Sequence, residues 1–468
     1  MARRIPAILA LGLVACLQVP AAADPEAANK SDTASPRSRD LWQRDTLTGD
    51  WGGVGKSLED KGLTFSVNEV SEVWANLTGG LRTGATYDGL TTAALKLDLA
   101  KLANWPGATF YVNAYQIHGF GPSNNFVGNQ QFVTNIEATP STKLYDLWLE
   151  QSLYNDRVSI RIGQQGMNDE FMTSKASEIF LNGSFGYPDV NERDLPSSGP
   201  NYPLATPMAR AKVKISDQFT YIGAIFNGDP AGPGRGTGPE EEDPQIRDFS
   251  GTAFRLQDPP LIVNELWYDV GGDKPSASLP GIYKIGAWVH TGTFGLSKNN
   301  YTGTPLPFTV PAPLYRGNFA IYALADQMVW RKPGAKDEGI TLFGLVLGAP
   351  DDRNAEDLYA EGGFSWKGVI ESRPEDSFGV AFAFAHTSNA FRSLGEESVA
   401  LTGNGKLYAT NETIIEATYL YKAAPWWTLQ PDIQYVVNPS ASLPPDSPGV
   451  TTIPKNALVI GLRTKIDF

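Results

Sequence analysis

The stretch Asn456-Ala457-Leu458-Val459-Ile460-Gly461-Leu462-Arg463-Thr464-Lys465-Ile466-Asp467-Phe468 decides how the rest of the chain is read. Counting back from Phe468, the residues Ile466, Thr464, Leu462 and Ile460 share one face, while Asp467, Lys465 and Arg463 share the other. A strand points successive side chains to opposite sides. A segment apolar on one side and charged on the other therefore stands between an apolar medium and water.

The same alternation recurs through the chain. Period-two segments lie near 63–75, 91–100, 108–117, 143–153, 157–164, 208–216, 219–227 and 260–270, then 281–291, 318–330, 339–348, 357–367, 376–387, 412–422, 426–437 and 456–467. These sixteen segments have the length that a tilted membrane-crossing strand requires. Long connections (120–142, 164–207, 228–259, 292–317, 388–411, 438–455) alternate with short ones such as Asn155-Asp156 and Asp217-Gln218. Long outer loops alternating with short inner turns suit a closed barrel with an even number of strands. The expected fold is thus all-β, a transmembrane antiparallel β-barrel of about sixteen strands over 63–468, with a short periplasmic N-terminal segment at 41–62. Composition agrees: 41% hydrophobic and 11% aromatic residues exclude a disordered chain, and 47 Gly with 34 Pro supply the turns. No later run is long and apolar enough for a spanning helix, so a membrane crossing requires strands closed into a barrel.

The first residues give an address. Arg3-Arg4, the apolar run Ile5 to Val19 and Ala21-Ala22-Ala23 form a signal peptide, residues 1–23, with cleavage near Ala23. Leu13-Val14-Ala15-Cys16 resembles a lipobox that competes with that site, which leaves open whether Cys16 is ever lipidated. Residues 24–40 read as a disordered lead-in. Loss of 1–23 removes two Arg and no acid, taking the formal net charge from −13 to −15. That charge speaks against nucleic acid as a partner and for the outer membrane of a Gram-negative envelope. Alternate apolar residues ending on Phe468 look like an outer-membrane insertion signal, read by the barrel-assembly machinery.

Charges facing lipid are costly, about 2–4 kcal/mol for Arg or Lys at the bilayer centre. Their default place is the lumen, and parity selects Lys96, Asp98, Asp146, Trp148, Glu150, Arg161, Arg210, Lys212, Glu265 and Trp288 as pore-lining candidates. Lys284 and His290 share the parity of Trp288. Trp148, between two inward acids, is the candidate for contact with whatever passes, whereas Trp288, Trp366, Trp426 and Trp427 also suit an interfacial girdle. The aromatic, acidic 164–207 loop (Asp169, Glu170, Phe171, Phe180, Phe185, Tyr187) is a candidate to fold inward and narrow the bore. Glu240-Glu241-Glu242-Asp243 reads as a solvated charge run.

Chemistry is poorly supported. His118, His290 and His386 are the only histidines, far apart and without metal-ligand spacing, so neither a metal nor a cofactor is expected. His386-Thr387-Ser388-Asn389 has the residue types of a hydroxyl nucleophile site, but it stands at a strand-to-loop junction where such residues are ordinary. The chain does not read as an enzyme.

From Leu47 to Phe468 it resembles the carbohydrate-selective outer-membrane porins of the OprB type. The likeness is carried by Leu47-Thr48-Gly49-Asp50-Trp51-Gly52-Gly53, Lys61-Gly62-Leu63-Thr64-Phe65, Leu97-Asp98-Leu99 and Ile179-Phe180-Leu181-Asn182. It continues through Ile225-Phe226-Asn227-Gly228-Asp229-Pro230, Gly286-Ala287-Trp288-Val289-His290-Thr291-Gly292, Tyr322-Ala323-Leu324-Ala325-Asp326-Gln327 and Gln430-Pro431-Asp432-Ile433-Gln434-Tyr435-Val436. The resemblance implies passive, facilitated diffusion of monosaccharides such as glucose. A general diffusion porin and a non-transporting structural barrel stay open on the residues alone. Partners implied are small-molecule sugars, outer-membrane lipid and lipopolysaccharide; homotrimer and monomer both remain open.

Overall fold

A computed structural model describes residues 40–234, 243–271, 279–295, 314–402, 408–439 and 454–468. The expected leader with Cys16, the lead-in up to residue 39, and Glu240-Glu241-Glu242 lie outside the described residues.

Sixteen strands form one closed antiparallel barrel: β1 Leu63–Gly80, β2 Gly84–Asp98, β3 Ala108–Gly119, β4 Ser141–Leu153, β5 Val158–Gln165, β6 Thr206–Lys214, β7 Phe219–Asn227 and β8 Pro260–Val270, then β9 Gly281–Phe294, β10 Tyr315–Arg331, β11 Gly339–Gly348, β12 Glu356–Lys367, β13 Ser377–Thr387, β14 Asn411–Ala424, β15 Trp427–Val437 and β16 Lys455–Asp467. Each strand pairs with its neighbours in sequence, and β1 meets β16 with Asn68 opposite Asp467. Closure leaves no edge strand with unpaired backbone groups. No described helix is long and apolar enough to cross a membrane.

Alternation sorts the wall as expected. In β16, Ala457 and Val459 face the buried interior, while Ile460 and Leu462 lie exposed on the outer surface. Ile285 and Val289 of β9, Ile321 of β10, Leu342 and Val346 of β11, and Phe382 of β13 are likewise exposed. These large apolar side chains form the band that a bilayer covers.

The first two strands differ most from the sequence reading. β1 and β2 run further than expected and meet through residues 81–83 alone, a short connection at the loop end. Positive φ values of 67° and 63° at Gly79 and Gly80, a conformation that strands seldom adopt and that glycine takes without penalty, hide this hairpin from a search for alternation. At its far end β2 stops at Asp98 instead of running to residue 100. The Asp98 carboxylate accepts from Ala100 N and Lys101 N and so caps a short helix, α2, Leu99–Ala103.

At the turn end, a helix labelled α1, Val54–Asp60, leads into β1. Leu47 N donates to Asp467 O, and Trp426 Nε1 donates to Leu41 O, tying the N-terminal segment to the start of β15 and the end of β16. Trp42 stacks against Trp426 with ring centroids 6.0 Å apart.

Candidate functional site in the lumen

Three adjacent strands build a ladder of charge. Strand pairing sets Glu150 of β4 opposite Arg161 of β5, and Arg161 opposite Arg210 of β6. Two guanidinium groups side by side repel each other. They are held because carboxylates reach both: Glu150 from its own strand and Glu170 from the loop after β5. Arg161 Nε donates to Glu150 Oε2 at 3.0 Å, and its NH1 lies 3.3 Å from Glu170 Oε2. Arg210 NH2 donates to Glu150 Oε2 at 2.5 Å and its Nε to Glu170 Oε2 at 2.7 Å. The planar guanidinium fork fits such bidentate pairing and stays charged at all relevant pH.

Aromatic rings flank the ladder. The Arg161 guanidinium carbon sits 3.8 Å from the Trp148 ring centroid, and Tyr111, opposite Trp148 across β3 and β4, stacks at 5.0 Å. Close approach on the other side requires Gly163, whose φ is 145° and where a Cβ would lie 2.6 Å from Trp148 Cα. Further round, Trp267 is held between Lys212 Nζ at 4.5 Å and Lys284 Nζ at 4.7 Å from its centroid. Its Nε1 donates to Glu265 Oε2 at 2.6 Å.

The opposite half of the lumen is filled. The segment 166–205 folds inside the barrel and buries Met167, Phe171, Phe180, Leu181, Phe185 and Val190. Segment 120–140 packs with it. Lumen-facing side chains of β8–β15 hold both by their backbones. Gln131 N donates to Glu412 at 2.8 Å, Leu181 N and Asn182 N to Glu416 at 2.6 and 3.0 Å, and Lys175 N to Asp326 at 2.9 Å. Gln430 donates to Ile179 O and Gln434 to Val133 O. Hydrogen bonds to charged groups contribute about 1.5–3 kcal/mol each; they fix where the loops sit and add to the apolar burial of Phe171, Phe180, Leu181 and Val190, which offsets the larger part of the freedom the loops lose. Within segment 120–140, Glu137 accepts from Ser123 N through both oxygens at 3.1 and 3.2 Å, and burial pushes its carboxyl up to about 7.

This arrangement divides the ten candidates. Lys96 is exposed, and Trp148, Glu150, Arg161 and Lys212 are half-buried along the unfilled side. Arg210 is buried behind Glu150 and Glu170 and supports the ladder from the rear. Four expectations are corrected. Glu265 is 1% exposed and accepts from Met172 N at 2.5 Å and Tyr322 OH at 2.8 Å. Trp288 is fully buried and donates to Asn191 Oδ1 at 2.7 Å. Both point inward as expected but lie beneath the folded loop, as its anchors. Asp146 is buried, with its carboxylate and amide bonded to the Asn113 side chain, where β4 bulges. Asp98 caps α2 at the turn end. His290, also inward, is occupied by Gly228 O and Gly292 N.

Tyr111 and Trp267 complete the site and were not among the candidates; Glu170 comes from the 164–207 loop, which the sequence offered as one that folds inward. Tyr111 and Trp267 have lumen parity; Glu170 sits in a loop, where parity carries no information. The anchors Glu412 and Glu416 left one trace in the sequence, as acids of lumen parity around Ile414. Among the described residues no group of His, Cys, Asp or Glu is arranged to hold a metal ion.

Comparison with known proteins agrees with this fold. The profile of the "Carbohydrate-selective porin, OprB family" matches residues 82–468. Porin B of Pseudomonas aeruginosa is 25% identical over 459 residues, covering 94% of each chain. A protein named putative porin QuiX, from Acinetobacter baylyi, is 22% identical over 464 residues, 92% of this chain and 95% of that one. The solved high-pH structure of Pseudomonas putida OprB superposes with a TM-score of 0.77 at 23% identity, covering 91% of this chain and 99% of that one.

Proposed function

This chain belongs to the OprB family of carbohydrate-selective porins, whose fold is that of channel proteins rather than enzymes, and from that premise we propose that it passes monosaccharides such as glucose through the outer membrane by passive diffusion. The observation that carries the reading is the Glu150–Arg161–Glu170–Arg210 ladder beside the Tyr111–Trp148 stack, facing the unfilled side of a lumen otherwise packed with loop.

A sugar is neutral, dense in hydroxyls and small. Carboxylate oxygens of Glu150 and Glu170 accept from its hydroxyls, and Arg161 donates to them. Because these groups already pair with one another, a passing sugar exchanges one set of hydrogen bonds for another instead of leaving charges bare. Binding is then specific in geometry and weak in free energy, as conduction requires. Lys96 and Lys212 extend donors toward the turn end. No gradient or nucleotide is coupled, so flux runs down the sugar's own gradient.

In this reading the turn end with α1 faces the periplasm, lipid and lipopolysaccharide surround the apolar band, and the assembly machinery recognises the strand ending at Phe468. Leader removal near Ala23 precedes insertion; intact-mass measurement of the membrane-extracted protein checks the cleavage site.

Liposome swelling over a panel of mono- and disaccharides, with glucose block of single-channel current, tests the transport reading. Saturable entry of monosaccharides with exclusion of disaccharides supports it. Entry ordered by size alone indicates a general diffusion porin, and absence of swelling in any sugar a structural barrel.

A further inference from the structure

Toward the turn end, beyond the ladder, the lumen wall carries a different balance of charge. On the ladder Glu150 and Glu170 are each shared by Arg161 and Arg210, so two carboxylates meet two guanidiniums. Further along β6 come Lys212 and Lys214, both of lumen parity, and on β2 Lys96 stands opposite Tyr111. Among the described residues none of these three ammonium groups takes part in a hydrogen bond or an ion pair. Asp98 is committed to the cap of α2, and the acid on the lumen face of the same stretch is Asp269 of β8.

Lys212 is held in place without being neutralised. Its Nζ lies 4.5 Å from the centre of the Trp267 ring, which Lys284 Nζ also approaches, at 4.7 Å. Lys284 is 6% exposed and donates to Thr173 O at 2.5 Å and Thr173 Oγ1 at 3.0 Å, so it is spent on the folded loop. Trp267 is fixed in turn by its bond to Glu265. A ring face attracts an ammonium but has no net charge of its own. A cation braced on a ring therefore keeps its charge for a third party, whereas a guanidinium met by carboxylates does not. Lys212 is half-buried along the open side, where the low local dielectric strengthens its pull on an anion.

Resting on the reading that monosaccharides pass the ladder, we propose that Lys212, braced on Trp267 and followed by Lys214, binds the carboxylate of anionic polyols of monosaccharide size. Sugar acids such as aldonates are then held more tightly than the neutral sugar. A single reachable ammonium at each step matches the single charge of a carboxylate. A phosphate dianion is better met by guanidinium forks, and here those are already occupied.

The test uses the full chain in planar bilayers bathed in dilute KCl, with sodium gluconate, sodium acetate and glucose compared as blockers of single-channel current. Gluconate is expected to half-block at a concentration about fivefold below that of glucose, and this advantage to shrink as KCl is raised and screens the ammonium. Lys212→Gln keeps a donor and loses the charge; it is expected to erase the gluconate advantage while weakening glucose block far less, and Lys212→Arg to preserve it. Gluconate no stronger than glucose, or an advantage indifferent to salt, overturns the inference. So does acetate blocking as strongly as gluconate, which would show charge bound without the polyol. Equal losses for both solutes in Lys212→Gln also overturn it, by assigning Lys212 to the neutral path alone. Saturable glucose block with weaker gluconate block sinks this inference alone. Gluconate block that depends on Lys212, without any glucose block, supports the site and removes the glucose reading of the ladder. Should Lys212→Gln fail to assemble, Lys214→Gln at an exposed position and the salt dependence of the unaltered protein decide.

Discussion

The two halves of the lumen use the same residue types for opposite ends. On the β8–β15 side, carboxylates and amides such as Glu416 and Gln430 turn to backbone groups of the folded loops and are buried by them. On the β4–β6 side, Glu150 and Arg161 turn to each other and keep part of their surface open to the lumen. The difference lies in partners: a side chain bonded to a loop amide becomes part of a plug, while one paired with a neighbouring strand's charge remains a wall. Inward orientation alone therefore does not make a residue part of the path.

Substitutions can break this contrast. The largest effect is expected from Glu416→Ala, which strips the amides of Leu181 and Asn182 of partners at about 1–3 kcal/mol each. Ion conductance should rise several-fold and disaccharides should enter liposomes; unchanged size exclusion would show that the plug stands without this anchor. Next, Arg161→Ala removes a charged donor and should weaken glucose block of single-channel current about tenfold, with size exclusion retained. Trp148→Ala removes the ring against which Arg161 is braced, worth roughly 1 kcal/mol, so glucose block should weaken a few-fold and ion conductance stay nearly constant. A larger loss than in Arg161→Ala would reverse the assigned roles.

The smallest effect concerns pH. Glu137, raised by burial from the ordinary 4.5 to about 7, holds its proton more firmly in the packed loop than in a released one. Its contribution to loop packing is thus greatest at acid pH, declines from about 4.5 upward and is exhausted above about 7. Conductance should rise modestly, by less than about twofold, between pH 5 and 8, and Glu137→Gln should flatten that component. Relaxed packing at acid pH would contradict the sign.

The strands were legible because lipid imposes a rule on every second residue, and the rule holds from β3 to β16 within a few positions. Asp98 was misread because Lys96-Leu97-Asp98-Leu99 continues the alternation while Asp98 is also a helix start. Glu265 and Trp288 were assigned the correct face; what covers them is a loop whose nearest bond to β8, Met172 N to Glu265, joins residues 93 apart. Local pattern cannot register that. Glu170 was legible only as part of an acidic, aromatic loop expected to fold inward; its pairing with Arg161 and Arg210 was not.

The anchoring bonds also impose an order in time. Gln131 and Leu181 belong to the early chain, yet they are held by Glu412 and Glu416, which lie 281 and 235 residues later. Until β14 is in place these amides lack their carboxylates, so this part of the plug sets only when the wall is nearly closed.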